Sequence, residues 1–240
     1  MMVHPTTLDD RGQLPEREAV VSARSLVASY GHTPALRGVT MELRRGEILA
    51  VTGASGSGKS TLMLCLAGIL TPDAGEVQYR GEVISSASES QRSKLRRTDF
   101  GVLFQFGQLV NELPAEENVA LPLLLGGVGR RPALTAARTW LERFGVADVA
   151  TKRPTEMSGG QAQRVAAARA MVTEPNVLFA DEPTGALDAL SGEQVMTQIA
   201  RVARDAGTSV LLITHEATVA AYGDREIVMR DGTIDSAVGR

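Results

Sequence analysis

The chain has 240 residues, of which 43% are hydrophobic, 22% charged and 4% aromatic, with a formal net charge of -3. This is a globular composition with material for a sizeable core, and its slightly acidic balance offers no field that would recruit nucleic acid. The single cysteine, Cys65, excludes an intramolecular disulfide framework and is expected in a small apolar core position.

The opening "MMVHPTTLDDRGQLPEREAV" is polar, contains proline and lacks the apolar stretch of a secretory signal. Residues 1–19 are expected to form a flexible arm ahead of one domain over residues 20–240. "ARSLVASY" (23–30) and "VTMELRRGE" (39–47) alternate as half-exposed antiparallel strands do, which predicts a β layer at the N-terminal end. "GEILAVTG" (46–53), "FGVLFQ" (100–105), "PNVLFADE" (175–182) and "TSVLLITH" (208–215) read as buried strands of a mainly parallel sheet. The longest apolar runs, 62–70 and 119–129, fall short of the ~20 residues a membrane helix needs. "QRSKLRR" (91–97) is a local basic cluster, either a solvated face or a contact for anionic lipid headgroups.

Helical patterns such as "LTAARTWLERFGV" (134–146) fill the interval between the second and third buried strands, so a helical subdomain is expected over roughly 106–172. In "SGEQVMTQIARVARDAG" (191–207), Ser191 with Gln194 predicts a capping box, Val195, Ile199 and Val202 one apolar face, and Gly207 the stop. The fold class is therefore α/β. His4 and His32 have no evident partners and are read as surface residues.

"GASGSGKS" (53–60) follows a buried strand and opens a helical pattern, the context that a phosphate-binding P-loop requires. The glycines at 53, 56 and 58 let successive backbone N–H groups converge, and the following helix N-terminus adds its positive end. The predicted nucleotide-binding residues are Gly53, Ala54, Ser55, Gly56, Ser57, Gly58, Lys59, Ser60 and Thr61, with Lys59 a point charge for the β/γ-phosphates and the Ser60 hydroxyl a ligand for Mg²⁺. Asp181 and Glu182 end the strand "NVLFA" at the carboxyl edge of the sheet, where open α/β sheets bind ligands. Asp181 can hold Mg²⁺ or its water, and Glu182 can polarise an attacking water. His215 ends the next strand at the same edge, beside the expected γ-phosphate.

With "MSGGQ" (157–161), Gln105, "LFADEPTGALD" (178–188) and His215 added to the P-loop, the chain resembles the ATP-binding subunit of an ABC transporter, over motifs running from about Tyr30 to His215. The resemblance implies a P-loop fold with a RecA-like core sheet, an N-terminal antiparallel β layer and an inserted helical subdomain. It also implies ATP and Mg²⁺ as ligands. Tyr30 takes the place of the aromatic that stacks on adenine. Gln105 resembles the glutamine that touches Mg²⁺ and the water, which adds it to Ser60 and Asp181 as a metal contact and to Glu182 and His215 as a catalytic residue. Ser158, Gly159, Gly160 and Gln161 resemble the signature sequence that reaches a partner's ATP, and Asp188 resembles the loop crossing the dimer interface.

Independently of the family, Ser158 is a good N-cap, and two glycines before "QAQRVAAARAMV" expose N–H groups at a helix start. This makes a second anion site, best used on another subunit's nucleotide in a two-fold homodimer formed on ATP binding. Met157 stands where leucine is usual and Ala162 where a polar residue is common; both changes are mild, and activity is expected to survive them.

"FGVLFQFGQLVNELPAEENVALPLL" (100–124) resembles the branch serving macrolide-exporter and lipoprotein-releasing permeases, together with its cell-division ATPases. The expectation is an ATPase on the cytoplasmic face of the membrane that powers a separate integral-membrane permease, by export or mechanotransmission, for lipoprotein, peptide or drug. A cell-division ATPase signalling through a membrane partner is the alternative, and a monomeric P-loop small-molecule kinase a further one. Phe106, Leu109, Val110 and Leu113 are expected to form part of a groove for a permease helix.

Overall fold

The computed structural model describes residues 18–31 and 33–239, with the side chains of Tyr30 and of residues 236–239 outside that description. Each predicted buried run supplies a strand: β3 (Ile48–Thr52), β6 (Phe100–Leu103), β7 (Val177–Asp181) and β8 (Ser209–Ile213). They lie in one sheet with β9 (Arg225–Arg230) and β10 (Thr233–Gly239), in the order β10-β9-β3-β8-β7-β6, parallel except for the β9/β10 hairpin. The strands read as continuous apolar runs because both sheet faces are covered. Leu178, Ala180, Val210 and Leu212 enter a core shared with the helices, while Val177, Phe179, Leu211 and Ile213 enter a core shared with the β layer. Alternation is present, but both phases are apolar.

That layer is a second, antiparallel sheet, β2-β1-β4-β5, made of β1 (Ala19–Tyr30), β2 (Thr33–Arg44), β4 (Ala74–Tyr79) and β5 (Glu82–Val83). Tyr79, Phe100 and Phe179 join the two sheets in an edge-to-face ladder with centroids 4.9 and 5.3 Å apart. Tyr79 Oη donates to Asp99 at 2.7 Å, and the Asn176 amide donates to the same carboxylate oxygen at 2.9 Å. Burial and the bond to Asp99 hold the Tyr79 phenol above its ordinary pKa, so it remains a donor.

Between β6 and β7 lie α3 (Ala115–Leu125), α4 (Arg130–Arg143) and α5 (Gly159–Met171), with 3-10 turns at Ala147–Val149 and Pro154–Glu156. Helix α1 (Lys59–Leu66) follows β3, α6 (Ala189–Ala206) precedes β8, and α7 (Ala217–Ala220) follows it. Cys65 is buried in the core under the β layer, and desolvation pushes its thiol pKa up to about 12, so it is an inert apolar residue.

One local expectation changes, and the structure adds three further points. Helix α6 starts at Ala189 rather than after Ser191: Asp188 is its N-cap, accepting from Ser191 N at 3.0 Å, and Ser191 sits in the first turn. Gly207, with φ of 68°, does stop it. The run at 119–129 is helical as far as Leu125 despite Pro122 within it. The β9/β10 hairpin has no counterpart among the expected strands. Finally, the basic cluster folds as α2 (Glu89–Thr98), capped by Ser88 and Gln91, and two of its cations turn inward. Arg92 and Arg96 both pair with Glu89; Arg92 also donates to Thr71, and Arg96 to Gly68 O at 2.6 Å. These contacts favour the solvated structural face over a lipid contact.

Candidate functional site

The parallel register builds the site. Val51 and Asp181 both lie opposite Ile213, and Leu103 lies opposite Ala180, so the chain leaves β3, β6, β7 and β8 at nearly one level. Gly53, Gln105, Glu182 and His215 therefore fall one or two residues past a common edge, at the carboxyl ends of the strands. A cleft of about 780 Å³ opens there, the size of a small-molecule site. Its walls are the P-loop residues Ala54, Ser55, Gly56, Gly58, Lys59, Ser60 and Thr61, with Gln105, Asp181, Glu182 and His215 opposite. Thr33, Pro34 and Ala35 of β2 complete its mouth; nothing in their sequence marks them, because they belong to the site through the docking of the β layer.

The P-loop is shaped as much by its neighbours as by what it binds. Gly58 caps α1 at φ 101°, and a Cβ there would stand 2.4 Å from Ala35 O. Gly53 lies equally close to β9, where a Cβ would be 2.2 Å from Met229 O. Lys59, only 7% exposed, donates to Gly53 O at 2.8 Å and Ala54 O at 2.9 Å. The ammonium is thus held over the loop it belongs to.

Across the cleft, Asp181 faces the Ser60 hydroxyl. Desolvation by burial raises its pKa, with repulsion from Glu182 adding to the effect, while Ser60 and Lys59 oppose it. One oxygen of each acid, Asp181 Oδ1 and Glu182 Oε2, is buried without a hydrogen-bond partner. Two orphaned anionic oxygens beside a hydroxyl form a hard-oxygen donor set of the kind that suits Mg²⁺ and its waters. Glu182 has φ of 46°, and its other oxygen, Oε1, meets His215 Nδ1 at 2.8 Å. That hydrogen bond, followed by the carboxylate's charge, raises the His215 pKa. The Gln105 amide lies over Gly185: a Cβ there would be 2.8 Å from Gln105 Nε2 and 3.5 Å from Glu182 Cβ. Gly185 is a further site residue with only a weak sequence signal, a glycine three positions after the second acid.

The remaining expected residues lie elsewhere. Ser158 and Gly159 are solvent-exposed and do not line the cleft. Ser158 does cap α5, accepting from Gln161 N at 3.2 Å while Gln161 Oε1 accepts from Ser158 N at 3.0 Å. The capping box fixes the exposed helix start. Met157 is half-buried against the helical core. Asp188 is tied to the start of α6. Tyr30 ends β1, and its side chain, like His4 and His32, lies outside the described residues.

Comparison with known proteins agrees with this geometry. The family profile described as ABC transporter matches residues 36–185. The chain is 40% identical over 205 residues to the lipoprotein-releasing system ATP-binding protein LolD of Shewanella denitrificans, covering 85% of this chain and 88% of that protein. It is 41% identical over 211 residues to the macrolide export ATP-binding/permease protein MacB of Shigella boydii, covering 88% of this chain and 32% of that longer protein. The fold superimposes on the ATP-binding cassette MJ0796, solved as a dimer in a post-hydrolysis state bound to ADP and Pi. The TM-score is 0.84 at 32% identity, over 91% of this chain and 98% of that one. Among the described residues no helix is long and apolar enough to cross a membrane. The shared profile, the relatives and the cleft at the strand ends lead to one conclusion: this chain belongs to the ABC transporter family and is one of its ATP-binding, ATP-hydrolysing subunits.

Proposed function

We propose that the chain hydrolyses ATP as one of two head-to-tail copies and that closure of this homodimer powers a separate integral-membrane permease from the cytoplasmic face of the membrane. The carrying observation is a division of labour within one chain: the P-loop, Asp181, Glu182, Gln105 and His215 share a cleft, whereas Ser158 and Gly159 at the start of α5 face solvent, with Gly160 buried behind them against Ser191. An exposed, capped helix start with bare N–H groups suits the phosphates of another copy's nucleotide. The helices within 106–172 would then act as a subdomain that carries this lid.

In the cleft, the N–H groups of the P-loop and Lys59 hold the β/γ-phosphates of ATP, while Thr33, Pro34 and Ala35, with Tyr30, border the base. Ser60, Asp181 and Gln105 would hold Mg²⁺, which supplies charge neutralisation on the phosphate oxygens. Glu182 accepts a proton from the attacking water as its oxygen bonds to the γ-phosphorus, and the bridging oxygen leaves with ADP. His215 fixes one carboxylate oxygen of Glu182, leaving the other to face the water. Asp188 borders the dimer interface. Phe106, 77% exposed directly after Gln105, with the half-buried Leu109, Val110 and Leu113 beside it, offers an apolar surface for a permease helix. Export or mechanotransmission of a lipoprotein, peptide or drug belongs to this reading, and the lipoprotein-releasing LolD and macrolide-export MacB among the relatives support a lipoprotein or a drug.

The test combines two variants of the full chain. Glu182→Gln with ATP and Mg²⁺ is expected to give a dimer by size-exclusion chromatography with hydrolysis reduced about 10²–10⁴-fold, the range a general base supplies. Ser158→Arg is expected to abolish hydrolysis while leaving the monomer's ATP affinity within about twofold, since Ser158 is outside its own cleft. If Ser158→Arg weakened monomer binding as much as Lys59→Ala, the site in trans would be refuted.

A further inference from the structure

Helix α5 does more than present Ser158. Three of its residues on one face, Gln163, Ala166 and Arg169, meet the turn that follows β6. Gln163, 4% exposed, donates through Nε2 to Phe104 O at 3.2 Å. Arg169 donates through its two terminal nitrogens to consecutive carbonyls, Gly107 O at 2.6 Å and Gln108 O at 2.8 Å. Between them Gly107 lies so close that a Cβ would stand 3.0 Å from Ala166 Cβ. Three carbonyls of a five-residue turn are thus claimed by one helix, and the turn contains both Gln105 and Phe106.

The turn needs such a hold. Gly107 and Gln108 both have positive φ, 65° and 49°, and a non-glycine residue in that region costs on the order of 1 kcal/mol. Internally the turn closes through Gly107 N to Phe104 O at 2.9 Å and Gln108 N to Phe106 O at 2.7 Å. Burial of the Arg169 guanidinium lowers its pKa, so a charged group is kept in an environment that disfavours its charge. Among the described residues its hydrogen bonds are to those two carbonyls. A planar fork spanning adjacent carbonyls is a geometry that lysine, with a single nitrogen, does not reproduce.

We propose that Arg169 is a positioning residue that fastens the Phe104–Gln108 turn to the signature helix, so that Gln105 in one ATP site, Phe106 on the surface and Ser158 facing the other site move as one body. This rests on the reading above, in which Ser158 serves a partner's nucleotide. Displacement of Phe106 then shifts Gln105 against Gly185 and Glu182 and tilts the α5 N-terminus together, and closure over ATP is transmitted back to Phe106 by the same route.

The test is hydrogen exchange on the full-length chain, comparing the native sequence with Arg169→Met and Arg169→Lys, each also in a Glu182→Gln background with ATP and Mg²⁺. Without nucleotide, both Arg169 variants are expected to exchange amides 105–110 at least about tenfold faster, with the P-loop unchanged, as expected of a local opening. With ATP, Glu182→Gln is expected to protect both 158–163 and 105–110. Adding Arg169→Met should leave 158–163 protected and release 105–110. Steady-state hydrolysis adds a second readout: Arg169→Met is expected to lower kcat about tenfold with KM nearly constant, and to lower it no further when Gln105→Ala is already present, because coupled residues are not additive. Unchanged exchange at 105–110, or a kcat loss that multiplies with that of Gln105→Ala, would overturn the proposal. Should ATP fail to protect 158–163 even in Glu182→Gln, the reading in trans falls, while the nucleotide-free exchange still decides the clamp. If Arg169→Met does not fold, Arg169→Lys and Gly107→Ala, which forces a Cβ between turn and helix, give the same readouts.

Discussion

Asn118, wholly buried in α3, ties the segment after the Phe106 turn to the helical core. Its Oδ1 accepts from Val110 N at 2.7 Å, and its Nδ2 donates to Val110 O at 3.0 Å and Leu113 O at 2.9 Å. Asn118→Leu keeps roughly the volume and removes these three bonds, together with a longer contact from Nδ2 to Pro114 O at 3.4 Å that adds little. At about 1 kcal/mol net for each, the loss is about 3 kcal/mol. Leucine's apolar surface returns about 1 kcal/mol. Val110 and Leu113 are half-buried, so their freed groups can turn toward water and the full penalty for dry, unpaired groups does not apply. The expected net destabilisation is about 2 kcal/mol, or a fall in Tm of about 4–8 °C for a chain of this size. Trp140, the single tryptophan, is 3% exposed in the same core and reports unfolding by fluorescence. ATP affinity should not change, because Asn118 does not line the cleft. A melt indistinguishable from the native chain would refute the reasoning that these bonds stabilise the loop.

Two further outcomes follow from the site geometry. The His215 pKa is raised by its bond to Glu182, so the stability this contact contributes is complete below the unfolded-state histidine pKa and is lost as pH rises through the higher folded value. An NMR titration of the imidazole should show the pKa falling in Glu182→Gln; no movement would assign the shift to another cause. At the P-loop, Gly58→Ala meets a backbone oxygen at 2.4 Å with φ of 101°, whereas Gly56→Ala, at φ 80°, meets nothing within 4 Å. Gly56→Ala is expected to cost about 1 kcal/mol from backbone conformation alone, and Gly58→Ala clearly more, with nucleotide binding lost. Equal melting temperatures for the two variants would contradict this assignment.

Much of the site was legible because each of its parts is local. Buried strands announce themselves as apolar runs, a P-loop needs its glycines, lysine and serine in fixed order, and Ser158 with Gln161 is a capping box within four residues. The four strand ends converge because parallel strands with short offsets place their last residues together, which the alternating element order already implies. Where local signals competed, the contacts of the folded chain decided. Ser191 and Gln194 looked like a helix start, but Asp188 captures Ser191 N and begins α6 earlier. "QRSKLRR" carries the same charges in either reading, and only the fold brings Arg92 and Arg96 to Thr71, Gly68 and Glu89.

The sequence by itself determined that the chain carries a nucleotide-binding P-loop at the end of a strand and a second, glycine-opened helix start capped by Ser158. Both are written in consecutive residues whose backbone geometry is set by glycine, lysine and serine. The tertiary structure decided which distant segments touch. Thr33–Ala35 became a cleft wall, Gly185 made room for Gln105, and Arg169 reached the carbonyls of Gly107 and Gln108. Such contacts join residues tens of positions apart, and they exist only once sheet register and helix docking have fixed the distances between them.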